Sequence, residues 1–75
     1  MKIKKFLYTM QLVVRDVYAD EHTYNHIYRL TLDKEGNLFI ETREKKDDHI
    51  IRGGLILHKG QWMDFDLRYV SEEVV

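Results

Sequence analysis

The sequence predicts an all-β fold: a small five-stranded antiparallel meander, either a curled sheet or barrel-like. Three observations carry this. Its apolar segments are rich in β-branched and aromatic residues, the best-defined of them alternate apolar and polar positions, and short polar connectors separate them. The 75 residues are 44% hydrophobic and 33% charged, with 12 Lys plus Arg against 13 Asp plus Glu. That mix is too apolar for a disordered chain and too evenly charged for a non-specific polyanion binder.

The first segment, Ile3 to Val17, supports two patterns. Ile3, Phe6, Leu7, Met10, Val13, Val14 and Val17 fall at helical spacing, which would give an α+β fold with an N-terminal helix over 3–17. Phe6, Tyr8, Met10, Leu12 and Val14 also alternate as one face of a strand. Phe, Tyr, Thr and three valines favour the strand, and no capping residue opens a helix.

The second and third strands form a hairpin around Asp33-Lys-Glu-Gly-Asn37, between Tyr24–Leu32 and Leu38–Arg43. Gly36 and Asn37 are expected to supply the positive φ of a tight turn. Alternation groups Tyr24, His26, Tyr28, Leu30 and Leu32 on one face, with Asn25, Arg29 and Thr31 opposite. An inward His26 beside Tyr28 would destabilise the fold when protonated. After the connector Glu44–Asp48, a fourth strand runs from His49 to His58, and Gly53-Gly54 within it suggests a bulge or a close approach of another backbone or a ligand. Following Lys59-Gly60-Gln61, the fifth strand is Trp62–Val70, with Met63, Phe65, Leu67 and Tyr69 inward and Asp64, Asp66 and Arg68 outward. Ser71–Val75 reads as a tail. Residues 1–75 are taken as a single domain without repeat or linker.

Composition excludes several classes. Without cysteine or proline there is no disulfide scaffold, Cys-based zinc site or polyproline ligand. No apolar run approaches the ~18 residues of a membrane-spanning helix. Met1–Tyr8 has the basic residues of a signal peptide without its apolar stretch, so a cytoplasmic location is expected. The overall character, small, Cys-free and rich in Lys, Asp and Tyr, resembles accessory proteins encoded by phages and other mobile elements.

Motifs for chemistry are weak. His22 and His26, with Asp20 or Glu21, have a metal-binding spacing only on a helix, and on a strand they stand ~13 Å apart. Asp64 and Asp66 could work as an acid–base pair only if buried. There is no nucleophile motif and no phosphate-cradling loop, so neither an enzyme nor a cofactor is expected.

A non-enzymatic protein-binding module is expected instead, an inhibitor or regulator that occupies a macromolecular partner's surface, with homodimers or higher oligomers as one form. Its expected contact residues are Phe6, Leu7, Tyr8, Met10, Val13, Arg15 and Trp62, because the first segment is apolar on more than one face. The alternative is single-stranded nucleic-acid binding, RNA in particular, through Lys2, Lys4, Lys5 and Tyr8.

Overall fold

The computed structural model describes the chain from Lys5 to Val74, with side chains described from Tyr8 to Ser71. The all-β expectation holds: six strands and no helix lie among the described residues. They are β1 (Lys5–Arg15), β2 (Glu21–Tyr24), β3 (Ile27–Leu32), β4 (Leu38–Lys46), β5 (His49–Leu57) and β6 (Asp64–Val74). The helix over 3–17 is therefore overturned. An 11-residue register between β1 and β6, from Lys5 opposite Val74 to Arg15 opposite Asp64, satisfies the backbone by cross-strand bonds instead.

The strands form two antiparallel sheets, β2-β1-β6 and β3-β4-β5. β6 returns to pair with β1, so the meander closes in topology. Its ladder is interrupted at two seams, β2/β3 and β5/β6, and it is not a closed barrel.

The count of six rather than five comes from the segment Tyr24–Leu32, which does not run straight. His26 has φ 56°, and this left-handed kink carries the chain from one sheet to the other. One residue later a bulge sets Ile27 and Arg29 against the adjacent Thr42 and Glu41, leaving Tyr28 as the extra residue. The expected alternation is corrected accordingly. Ile27 is buried, Tyr28 and Leu32 are exposed, and His26 is half-buried at a groove that Tyr28 also lines. Ser71–Val74 is also no loose tail, since it continues β6 opposite Lys5–Tyr8.

Two five-residue loops close the hairpins in the same way. In Asp33–Asn37 the Asp33 N–H donates to the Asn37 carbonyl at 3.1 Å, and Gly36 N–H donates back to Asp33 at 3.3 Å. In Asp16–Asp20 the corresponding bonds, Asp16 to Asp20 and Ala19 to Asp16, are both 3.0 Å. The fourth position is left-handed in each, with φ 88° at Gly36 and 65° at Ala19. Asn37 does not share the positive φ expected of it.

The core is small. Leu12 and Val14 from β1 meet Ile27, Leu38 and Ile40 from the other sheet, and these five are the buried hydrophobic residues among those described. Met10, Tyr24, Leu30, Leu55, Leu57, Trp62 and Phe65 pack around them half-buried. Trp62 bridges the sheets: its ring lies 5.8 Å from Phe65, and its indole N–H donates to the Gly36 carbonyl at 3.1 Å. The glycine pair causes no bulge, because β4 and β5 keep one register throughout. What comes close at Gly53 is a side chain rather than the expected backbone or ligand: a Cβ there would stand 2.7 Å from Thr42 Oγ1.

Candidate binding surface at the open end

Each sheet narrows from three strands to two. β2 reaches only as far along β1 as Leu12, and β3 reaches only as far along β4 as Thr42. Past those points the β1–β6 and β4–β5 ribbons continue without a third strand, which explains a molecule 52 Å long but only 24 by 18 Å across. Both ribbons leave from the same end. There a groove of about 340 Å3 is lined by Tyr8, Met10 and Tyr69 from one sheet and by His26, Tyr28 and Arg43 from the other.

The groove's aromatics are unusually open. Tyr8 is 69% exposed, Tyr69 72% and Tyr28 51%. Register explains this. Met10, Leu12 and Val14 stand opposite Tyr69, Leu67 and Phe65, so all six belong to the inner face of their sheet. Leu12 and Val14 on the central strand find the second sheet, whereas Leu67, opposite Leu12 on the edge strand β6, and Tyr69, further towards the open end, find solvent. The expectation that Met63, Leu67 and Tyr69 point into a core is corrected: all three are exposed, and of that set only Phe65 packs inward.

Beside the groove, the outer face of β3-β4-β5 is basic. Arg43 stands directly opposite Arg52, and Arg29 opposite Glu41. The Arg43 guanidinium lies 3.8 Å from the Tyr28 ring centroid and that of Arg29 5.9 Å, so the bulge has set an aromatic ring among cations. Among the described residues, no carboxylate comes within ion-pair distance of Arg29, Arg43 or Arg52. A smaller groove of about 230 Å3, lined by Tyr28, Glu41, Thr42, Arg43, Arg52 and Gly53, continues the first.

The expected contact residues divide. Tyr8 and Met10 line the open groove. Val13 and Arg15 face the other side of the sheet, where Arg15 makes a two-pronged pair with Asp64 at 2.7 and 2.8 Å. Trp62 is engaged in the core. The side chains of Phe6 and Leu7, the whole of Lys2 and Lys4, and the side chain of Lys5 lie outside what the structure describes. Tyr28, Arg43, Arg52 and Tyr69 were missed. Their only signal in the sequence was an excess of aromatics over what five short strands can bury.

The histidines do not converge. His22 Nε2 lies 2.8 Å from Asp16 Oδ2, whereas His26 Nε2 faces Glu44 at 3.7 Å. Among the described residues no group of three or more His, Cys, Asp or Glu gathers for a metal ion. The hydrogen bond from His22, with backbone N–H groups of Tyr18 and Asp20, holds the Asp16 carboxyl below its ordinary range. Asp64 pairs with Arg15 rather than with Asp66, and that bond lowers its pKa. Asp33 is lowered by the Asn37 backbone N–H and side-chain amide.

No protein-family model, curated protein or solved structure matches this chain. No helix among the described residues is long and apolar enough to cross a membrane.

Proposed function

We propose that this is a non-enzymatic protein-binding module, an inhibitor or regulator that receives a partner protein at its open end. One observation carries the reading. Among the described residues eleven large apolar side chains are exposed while five are buried, and Tyr8, Leu67 and Tyr69 continue the core's own face into solvent. Exposed apolar surface continuous with a core is favourably covered, at roughly 25 cal/mol per Å2 of area removed from water. Tyr, Met and Arg are also the residues that dominate binding energy at protein interfaces. A cytoplasmic site of action goes with this reading, on the strength of the cysteine-free composition.

A second reading, single-stranded nucleic-acid binding, is favoured by a separate observation. Arg29 and Arg43 lie over the Tyr28 ring with Arg52 opposite Arg43, and among the described residues none of the three is ion-paired although Glu41 lines the same groove; this supplies phosphate contacts beside a ring for base stacking. The surface in question is not the expected Lys2/Lys4/Lys5 region.

Affinity capture from the native host tests both. Wild type and a Tyr8→Ser/Tyr69→Ser variant of equal thermal stability serve as baits, with and without nuclease. The proposal expects a protein partner retained through nuclease treatment and lost with the double variant. Capture abolished by nuclease, with affinity falling steeply as salt rises, supports the second reading instead. Equal capture by wild type and variant removes the groove from the account.

A further inference from the structure

The sheets have four edges, and they are not alike. β2 offers four residues, β3 is broken by the Tyr28 bulge, and β5 carries adjacent glycines that weaken strand pairing. β6 is an 11-residue strand with β1 on one side and no strand on the other. Its described part, Asp64–Ser71, has no proline, glycine or lysine to blunt that edge.

We infer that this edge pairs with the same edge of a second copy, antiparallel about a two-fold axis at Leu67. Such pairing sets one residue opposite its own copy. Along a strand only every second residue turns its N–H and C=O to a given edge, so paired residues must share parity. Few registers remain, and charge separates them. Centring on Asp66 or Arg68 opposes two like charges on the axis, centring on Phe65 opposes Asp64 to Asp66, and centring on Tyr69 opposes Asp66 to Glu72. Centring on Val70 matches Arg68 with Glu72 but leaves Asp66 opposite the uncharged Val74. Centring on Leu67 sets Asp66 against Arg68 of the other copy, twice by symmetry, and Phe65 against Tyr69. Asp64 then falls opposite Val70 and keeps its own pair with Arg15. Arg68 donates through Nε to Gln11 at 2.6 Å, which leaves its terminal nitrogens for the second copy.

The product is a continuous six-stranded sheet, β2-β1-β6 joined to its mate. The inner face of this sheet carries Phe65, Leu67 and Tyr69 of both chains as one apolar band. Leu67 and Tyr69, exposed in the single chain, acquire neighbours in it. The pairing is made along a strand edge, and its apolar band adjoins the proposed partner groove at Tyr69, which lines both.

The test is a charge swap read by sedimentation. Wild type is expected to reach twice its 9.1 kDa mass as concentration rises. Asp66→Arg and Arg68→Asp each oppose like charges at two symmetric positions and should weaken association by roughly tenfold. Mixed together, the two variants restore opposite charges and should form a heterodimer. The double swap D66R/R68D restores both pairs within one chain and should dimerise by itself.

Leu67→Cys adds a geometric readout in a chain without native cysteine. Opposed Cα atoms ~4.5–5.5 Å apart lie within disulfide range, so this variant should oxidise to a covalent dimer while Thr31→Cys does not. A wild type that stays at 9.1 kDa throughout, or a mixture no tighter than its components, overturns the inference. So does equal cross-linking at positions 67 and 31. The swaps leave Tyr8, Tyr28 and Arg43 intact, so lost dimerisation and lost partner capture are read separately.

Discussion

At the scale of single residues, Ala19 carries a conformation that glycine carries elsewhere in the same protein. Both five-residue loops need a left-handed residue at their fourth position, and only Asp33–Asn37 has glycine there. The left-handed region is disfavoured by about 1–2 kcal/mol for a residue with a Cβ, partly offset by the flexibility glycine adds to the unfolded chain. Ala19→Gly should therefore stabilise by about 0.5–1 kcal/mol and raise the melting temperature by roughly 2–8 °C. An unchanged or lowered melting temperature would contradict that reading of the loop. Gly36 announced its turn in the sequence, whereas Ala19 could not, because alanine is compatible with helix, strand and loop alike. His26 is a similar case: its kink turns one apparent strand into two, and nothing in Tyr24–Leu32 marks it.

At the scale of elements, two hairpins are closed by aspartates acting as acceptors. Asp16 takes N–H bonds from Tyr18 and Asp20 and a ring contact from His22, and Asp33 takes bonds from the Asn37 backbone and side chain. Both carboxyls titrate below their ordinary value when folded. A depressed folded pKa gives stability that is present above the unfolded value of ~3.9 and lost as pH falls through the folded one. The melting temperature should hold from neutral pH to about 5 and fall below about 4, and Asp33→Asn should flatten that fall. An equally steep acid transition in Asp33→Asn would count against the role assigned to this turn. These hairpins and the strand character of β1 were legible in the sequence, because turn chemistry and β-propensity are local. The division into two sheets was not, since it depends on which faces meet.

At the scale of the whole molecule, 75 residues make six strands but bury only a few side chains completely. The sequence alone led to the expectation that shortness favours a partner, and put that surface along the first segment from Phe6 to Arg15, with Trp62. The fold puts its exposed apolar surface elsewhere. Two ribbons outrun their third strands at one end, leaving Tyr8, Tyr28 and Tyr69 open, and Leu67 is open on the edge strand β6, while Trp62 and Arg15 are engaged within the fold. Period-two patterning says which residues share a face but not whether another sheet covers it. That is why Leu67 and Tyr69 read as core.

The claim that another chain completes this molecule is tested most directly by amide hydrogen exchange along β6 as protein concentration rises from micromolar to millimolar. The account predicts that outward-facing amides between Asp64 and Ser71 exchange freely in dilute protein and become protected at high concentration, while those bonded to β1 stay protected throughout. Exchange along that edge independent of concentration, with or without the native partner protein present, would contradict it.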